Sequence, residues 1–193
     1  MSDSLRTVFL TGSIVNFRPF NKADLPTVVR WINNPEVREL ISNNLPKGEK
    51  QEEEWLSKLY TSDTDIILAI ETKEGILIGS MGIHHINWVN GTATTGAIIG
   101  EVENRGKGYG TDAKMTLLNY MFNTLNLRKI CSEVIEYNTR SYNYSLGCGY
   151  REEGRKIKHI FRNGQYWDLI QLAVFKEDWL PIWAKYCETG KVK

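Results

Sequence analysis

The chain contains few cysteines, and none of them has a metal-binding spacing. Cys131, Cys148 and Cys187 are the three in 193 residues, and no two lie within four positions of each other. An odd number without paired spacing argues against a disulfide framework and against a cysteine zinc site. We therefore predict reduced thiols in a cytoplasmic protein that holds no metal.

Neither sign of charge is in excess, since 24 basic and 23 acidic residues leave a formal net charge of +1. A nucleic-acid-binding protein usually carries a basic patch with interleaved aromatic residues, and no such stripe occurs. The sequence also has no run of about 18 apolar residues. It shows no basic segment followed by an apolar core, the pattern of a secretory signal peptide. We expect no nucleic-acid partner, no membrane association and no export. Because 41% of the residues are hydrophobic, residues 1–193 are predicted to form one domain with a substantial core.

The most informative stretch, residues 101–113, joins an apolar strand to an amphipathic helix. Its three glycines, Gly106, Gly108 and Gly110, remove the Cβ atoms that would keep a ligand away from the backbone. The helix that follows begins with free amides and with the positive end of its dipole. Both features suit a phosphate group, so this stretch predicts a phosphate-binding loop.

Three classes of phosphate-binding loop share this chemistry. A Walker A loop is excluded because Lys107 is followed by glycine, not by Ser or Thr. A dinucleotide-binding fingerprint formally matches residues 108–113, and Glu133 lies where its acidic residue would be. The order of elements argues against it, because such a loop usually opens a series of βαβ units and this one follows antiparallel strands. The third class is defined by Arg105-x-x-Gly108-x-Gly110, to which we return below.

Periodicity predicts alternating strands and helices around the loop. Strands are expected at 14–19, 65–71, 76–85, 92–100, 129–135, 150–161 and 166–175, and helices at 21–33, 36–41, 49–59, 110–126, 139–146 and around 179–186. Asn90-Gly91, Asn163-Gly164 and the stretch 72–75 indicate hairpins. The polar run 49–54 is interpreted as a solvated helix face. Residues 1–13 have mixed polarity and receive no assignment.

This order of elements, with the R-x-x-G-x-G stretch at 105–110, resembles the GNAT superfamily of N-acetyltransferases over about residues 14–175. Asn138-x-x-Ser141 followed by Gly149-Tyr150 is similar to a second motif of that superfamily, and 162–168 is similar to its branch of ribosomal-protein N-terminal and polyamine acetyltransferases. The resemblance implies an α/β (α+β) fold. Its central sheet would be mixed and mainly antiparallel, with helices on both faces and a splayed central strand pair. It also implies direct acetyl transfer from acetyl-CoA to a primary amine in a ternary complex.

The same resemblance implies where coenzyme A binds. The strand before the loop should end in a bulge at Ile99, Gly100 and Glu101, whose backbone would pair with the pantetheine arm. The residues expected to surround the pyrophosphate are Arg105, Gly106, Lys107, Gly108, Tyr109 and Gly110. Asn138, with Ser141 one turn later, would hold the arm. Equally, Asn138 could simply cap the helix that follows it.

An amine nucleophile must lose a proton before it attacks, so a base is expected near the splayed strands. Glu101 is the first candidate, with a pKa that burial should raise, and Glu133 and the pair His84–His85 are alternatives. In many members of the superfamily a tyrosine protonates the leaving thiolate, and Ser145 occupies that position here. Tyr144 is the other candidate acid, although it lies about 100° around the helix.

A protein or peptide N-terminus is the acceptor expected from these observations. A polyamine site needs several carboxylates, and the obvious acidic cluster at 49–54 already has an explanation as a solvated helix. A small molecule, namely a polyamine, an aminoglycoside or an amino sugar, is the alternative. Two other functions stay open at this point, a dinucleotide-dependent oxidoreductase and a coenzyme A-binding module without turnover. We also allow for a homodimer.

Overall fold

A computed structural model describes residues 7–41 and 43–192. The strands are β1 (Leu10–Thr11), β2 (Val15–Pro19), β3 (Ile66–Thr72), β4 (Leu77–Asn87), β5 (Thr92–Ile99), β6 (Lys129–Ile135), β7 (Arg151–Arg162) and β8 (Gln165–Phe175). The helices are α1 (Leu25–Asn33), α2 (Pro35–Arg38), α3 (Glu49–Leu59), α4 (Tyr109–Asn123), α5 (Thr139–Gly147) and α6 (Lys176–Thr189). The part of the unassigned segment that is described forms β1, a short edge strand, and residues 1–6 lie outside the described chain.

All eight strands belong to one sheet, in the order β1-β2-β3-β4-β5-β6-β8-β7. Neighbouring strands are antiparallel except β5 and β6, which run parallel. The connection between those two contains α4, because parallel neighbours need a long crossover. This mixed, mainly antiparallel sheet confirms the predicted fold class.

An apolar cluster covers each face of the sheet. The larger one contains residues of α4 and α6, including Leu117 and Trp179, and the smaller one contains residues of α1 and α3, including Val28 and Leu56. Alternation along a strand decides which side chain enters which cluster, so on β3 Leu68 and Ile70 face α4 and Ala69 faces α1. We refer below to the α4 face and the α1 face.

The turn dipeptides act as predicted. Asn163 and Gly164 have φ angles of 50° and 81°, the left-handed pair that a two-residue hairpin turn requires. Gly75 and Gly91 also have positive φ angles, at the turns after β3 and β4. Local sequence therefore determines the register of these hairpins.

Two helical predictions need correction. The first helix is not continuous from Asn21, because a 3-10 turn at Lys22–Asp24 precedes α1. Asn21 still caps that turn, since its side chain accepts a hydrogen bond from the amide of Ala23 at 2.9 Å. The polar run of α3 is not wholly solvated, because Glu52 is buried and desolvation raises its pKa.

Asp112, in the first turn of α4, connects that helix to segments far away in the chain. Its buried carboxylate accepts hydrogen bonds from the amides of Ser13, Ile14 and Val15 at 2.7–2.9 Å. The hydroxyl of Tyr186 in α6 also donates to it, at 2.6 Å. Bonds to a buried carboxylate are among the stronger protein hydrogen bonds, so the start of α4 is firmly held.

Candidate active site

The parallel strands β5 and β6 separate soon after they meet. Their pairing covers only Thr92–Thr94 against Lys129–Cys131, whereas β6 continues beside β8 as far as Ile135. Beyond Thr94, the edge of β5 that faces β6 has no strand partner there, and Gly96 and Ala97 are exposed. An unpaired strand edge of this kind can accept an extended ligand as an additional strand.

The bulge predicted at the end of β5 is absent. Ile99 remains in register with Gly79, and the amide of Gly100 donates to the carbonyl of Ile78 at 3.0 Å. The register shift in this strand pair lies at its other end, between His84 and Asn87. The two central strands therefore separate without a bulge at the end of β5.

Gly100 and Glu101 are held by α1. A Cβ on Gly100 would lie 2.1 Å from the indole ring of Trp31, so only glycine lets that ring approach. The indole Nε1 donates to Glu101 at 2.8 Å, and Arg30 lies 2.5 Å from the same carboxylate oxygen. The hydrogen bond from Trp31, with a further contribution from Arg30, lowers the pKa of Glu101. The expected rise in this pKa is therefore wrong, because the carboxylate is exposed to solvent on one side and paired on the other.

The glycine loop has the geometry of an anion cradle. Gly106 and Gly108 have φ angles of 78° and 87°, which side chains rarely adopt. A Cβ on Gly106 would meet nothing within 4 Å, so the space beside this backbone is open. Gly108 is the N-cap of α4 and offers no side chain, which leaves the first amides of the helix available. A phosphate fits this arrangement of free amides and open space.

Basic side chains extend the cradle on one side. An open cavity of about 320 Å³ is lined by Ser13, Ile14, Lys73, Glu74, Lys107 and Tyr109. Lys73 is already engaged, because its ammonium donates to the carbonyls of Gly12 and Val15. Lys107 lies at the mouth of the cradle, whereas Arg105 turns back and its Nε lies 3.4 Å from the carbonyl of Ile99.

Helix α5 brings three predicted residues to the opposite side of the splay. The side chain of Asn138 accepts a hydrogen bond from the amide of Ser141 at 3.1 Å, so it does cap the helix. The hydroxyls of Tyr144 and Ser145 are both buried, and neither has a hydrogen-bond partner within the described residues. Buried hydroxyls normally have a partner, so two orphans side by side are compatible with a ligand that supplies one.

Tyr144 lies against the start of α4, where its ring is 3.9 Å from the position that a Cβ on Gly110 would take. Burial raises the pKa of Tyr144 well above its ordinary value, so the phenol stays protonated near neutral pH. A protonated phenol is the form that can give a proton to a thiolate.

Lys114 of α4 also lies beside the splayed strands, although the sequence patterns did not single it out. It is 1% exposed, on the α4 face, and its ammonium donates to the hydroxyl of Thr95 at 2.8 Å. The hydroxyl of Tyr150 lies 2.9 Å from the same oxygen. The ammonium also lies 5.7 Å and 5.3 Å from the ring centres of Tyr144 and Tyr150. Desolvation lowers the pKa of Lys114 to about 8.

A signal for Lys114 was present in the sequence. It lies four and eight positions before Leu118 and Phe122, which belong to the apolar stripe of α4. A lysine on the buried stripe of a helix either turns its ammonium outward to solvent or buries it. Fully buried lysines without a carboxylate partner are rare, so a lysine at such a position indicates an unusual environment. Thr95 is the first residue of β5 beyond its pairing with β6, so this charge lies directly beneath the splay.

The alternative bases occupy different environments. Glu133 is paired with Lys156 at 2.7 Å on the surface. His85 is exposed, whereas His84 lies 3.1 Å from Asp65, with its side chain only 30% exposed. The two adjacent histidines, which the sequence does not distinguish, therefore have different environments in the structure.

A segment between α2 and α3 borders the α1 face of the splay. Tyr137, at the end of β6, donates its hydroxyl hydrogen bond to the carbonyl of Glu39. Arg162, beside the β7–β8 turn, donates to the carbonyl of Ile41 at 3.0 Å. Because Trp31 of α1 covers the end of β5, the chain from α1 to residue 41 crosses above the splay.

Residues 7–41 and 43–192 contain no cluster of three or more His, Cys, Asp or Glu side chains placed to hold a metal ion. In the same two segments, no helix has both the length and the apolar character needed to cross a bilayer.

Comparison with known proteins agrees with this geometry. The profile of the acetyltransferase (GNAT) domain matches residues 15–151. A spermidine N(1)-acetyltransferase of Vibrio cholerae serotype O1 is 26% identical over 169 residues, which cover 88% of this chain and 97% of that protein. The putative ribosomal N-acetyltransferase YdaF of Bacillus subtilis is 30% identical, over only 55% of this chain and 57% of its own length.

A solved structure extends the likeness to three dimensions. The crystal structure of the Vibrio cholerae spermidine N-acetyltransferase in complex with CoA and spermine superposes with a TM-score of 0.82 and 26% identity, over 87% of this chain and 99% of the other. The fold, the splayed strands and the glycine loop thus agree with a profile that spans most of the chain, and the protein belongs to the GNAT acetyltransferase family as an acetyl-CoA-dependent N-acetyltransferase.

Proposed function

We propose that the acceptor is a primary amine of a small, flexible polyamine, with spermidine as the first compound to test. This proposal rests on how much of each chain aligns with its relatives. The relative named for spermidine aligns along nearly the whole of both chains, whereas the relative named for ribosomal proteins aligns along about half. Specificity in such an enzyme depends on segments outside the glycine loop, so similarity over the full length is the more relevant kind. A polyamine acceptor thus replaces, in this proposal, the peptide N-terminus that we expected from the sequence.

The donor side of the site would use the backbone more than side chains. Acetyl-CoA supplies an activated acyl group on sulfur. We assign its pyrophosphate to the amides and positive dipole of the loop and of the first turn of α4, formed by Arg105, Gly106, Lys107, Gly108, Tyr109 and Gly110. The pantetheine arm is assigned to the unpaired edge of β5 up to Ile99 and Gly100, with Asn138 and Ser141 on the other side. Most of these contacts need free amides and glycines.

The acceptor side carries carboxylates that suit a polycation. Glu101 is kept in its charged form by Trp31 and Arg30, at the end of β5. Glu39 lies on the segment that crosses above the splay, where its carboxylate contacts only Asn163, at 3.4 Å, among the described residues. Two separated carboxylates could bind two ammonium groups of one extended ligand and leave a third amine free to react.

Two residues are assigned to the leaving group. Tyr144, protonated and without a hydrogen-bond partner within the described residues, would give its proton to the thiolate. Ser145 is the second candidate donor, because its hydroxyl is also buried without a hydrogen-bond partner within the described residues. The ammonium of Lys114 below the splay would stabilise the negative charge that develops on the acyl oxygen or sulfur.

The test is a comparison of acceptors with one detection method. Purified protein, acetyl-CoA and a thiol reagent would be used with spermidine, spermine, an aminoglycoside, an amino sugar and peptides with free N-termini. We expect kcat/KM for spermidine or spermine to exceed that for every peptide by at least about tenfold, the ratio that 1.4 kcal/mol of transition-state binding gives. A peptide that reacts faster than both polyamines would overturn the assignment. Glu39→Gln, compared with the exposed Glu53→Gln as a control, should raise KM for spermidine selectively.

A further inference from the structure

His84 and Asp65 form a hydrogen-bonded pair on the α1 face of the sheet, where no apolar cluster covers them. The Nδ1 atom of His84 lies 3.1 Å from a carboxylate oxygen of Asp65. The other oxygen of Asp65 accepts a hydrogen bond from the hydroxyl of Thr64 at 3.0 Å. A histidine whose Nδ1 is fixed by a carboxylate presents Nε2 as its free, proton-accepting atom.

The direction of the ring follows from two glycines. Gly82 and Gly96 lie opposite each other on β4 and β5. A Cβ on Gly82 would lie 2.3 Å from Nε2 of His84, and one on Gly96 would lie 3.5 Å from it. The imidazole therefore extends across the sheet from Asp65 towards β5. Its Nε2 reaches the exposed Gly96, two residues beyond the last pair that β5 makes with β6.

The backbone beside His84 has an unusual conformation that aims the ring. The strand pair shifts register between His84 and Asn87, and His85 has a φ angle of 52°. Bulges commonly re-aim a side chain beside an active site, and a non-glycine residue with positive φ is a strained conformation that the surrounding structure must hold. The left-handed conformation of His85 belongs to this bulge, and the bulge sets the direction in which β4 presents His84.

We propose that His84 is the general base of the acetyl transfer, acting through Nε2, and that Asp65 is its positioning residue. This inference rests on the proposed function in that it takes an amine as the acceptor. The amine nitrogen loses two protons in the reaction, one before and one after it forms its bond to the acyl carbon. Nε2 accepts them in turn, directly or through one water, and releases them to solvent between steps. As the carbon–sulfur bond breaks, its electron pair goes to sulfur, which takes a proton from Tyr144. The Tyr144 phenolate then regains a proton from solvent, so the cycle releases one proton in total.

The charges around His84 favour this role. Burial lowers its pKa, and the hydrogen bond to Asp65 opposes that effect. The positive charges of the neighbouring His85 and of Lys114, on the opposite face of the sheet, act in the same direction as burial. The ring is then largely neutral at pH 7 and ready to accept a proton. Glu101 is a weaker base, because its pKa is lowered below the ordinary carboxylate value by Trp31 and Arg30.

Variants of neighbouring residues separate the two candidates. We expect His84→Gln to lower kcat with spermidine by about 10²-fold or more at pH 7, the usual effect of removing a general base. The loss should diminish as rising pH deprotonates the free amine, and KM for acetyl-CoA should stay within about twofold. Asp65→Asn should lower kcat by roughly tenfold and move the acidic limb of the pH profile, while the control His159→Gln, at an exposed position of β7, should match the wild type. Thermal unfolding of each variant shows whether it is folded.

Two results would overturn the proposal. One is a folded His84→Gln protein with a wild-type kcat and pH profile, and the other is a loss of the same size in His159→Gln. If spermidine is inert but a peptide is acetylated, the acceptor assignment fails and the same variants test His84 with that peptide. If no amine reacts, NMR decides, because bound CoA should shift the imidazole signals of His84 and leave those of the distant His159 unchanged. Unshifted His84 signals with CoA bound would exclude it from the site.

Discussion

Replacing Lys114 by Met should stabilise the protein. The ammonium is fully buried and has no carboxylate partner within residues 7–41 and 43–192, and desolvation lowers its pKa from 10.5 to about 8. At 1.36 kcal/mol per pH unit, that difference corresponds to about 3 kcal/mol by which the charged form disfavours the fold at pH 7. The variant loses the cation–π contacts with Tyr144 and Tyr150, each worth about 1 kcal/mol. Thr95 keeps its bonds to Tyr150 and to the carbonyl of Cys131. The expected net gain is about 1 kcal/mol.

The sign of the pH dependence provides the stricter test. Between about pH 8 and pH 10.5 the unfolded chain binds more protons at this site than the folded one, so wild-type stability should rise across that window. Below pH 8 both states are protonated and the full penalty is present. Denaturant unfolding at pH 7, 8, 9 and 10 should therefore show a gap between Lys114→Met and wild type that narrows as pH rises. The exposed Lys58→Met serves as the matched control.

A destabilised Lys114→Met protein, or a gap that does not change with pH, would refute the reasoning. The first result would mean that the ammonium makes stronger contacts than those seen here. The second would mean that it is not desolvated. Activity of the same variant adds a separate reading. If the charge stabilises the developing anion, kcat should fall by about tenfold or more while stability increases.

Two substitutions test the cradle and its support. Gly108→Val should reduce CoA affinity by at least about tenfold, measured by calorimetry, because a branched side chain at a φ angle of 87° both strains the backbone and fills the approach to the phosphate. Unchanged affinity in a folded variant would contradict the cradle. Gly100→Ala should destabilise the protein by about 1–3 kcal/mol, because its methyl group would overlap the ring of Trp31. The same variant should raise KM for the amine, since Trp31 orients Glu101. A melting temperature equal to that of the wild type would contradict the predicted loss of stability, because it would show that α1 accommodates the methyl group.

Local chemistry was sufficient to predict the loop and the turns. Left-handed glycines and the Asn-Gly dipeptides depend on the conformation of one or two residues, so the sequence alone indicates them. The strand at 129–135 was predicted with its observed bounds, because its apolar residues lie between clear breaks. Asn138 as a cap belongs to the same class of prediction. Its role towards the pantetheine arm stays a prediction.

Tertiary contacts decided the rest. The pKa of Glu101 depends on Arg30 and Trp31, about 70 residues earlier in the chain, and no local pattern reveals that approach. The orientation of His84 depends on Gly96 of the next strand and on Asp65 of the preceding turn. Lys114 stood in an apolar helix column, yet only the packing of α4 on the sheet shows that its charge is buried. Charged residues were the hardest to assign because their roles depend on partners distant in sequence.

The anchoring of Asp112 has a consequence for how the site is completed during synthesis. The first turn of α4 obtains its partners from residues 13–15, which lie 97–99 residues before Asp112, and from Tyr186, which lies 74 residues after it. A nascent chain that has reached the end of β8 already contains the loop, the splay and both candidate acids, but it lacks the last hydrogen bond to Asp112. We therefore expect the affinity for CoA to increase when α6 docks and supplies that bond.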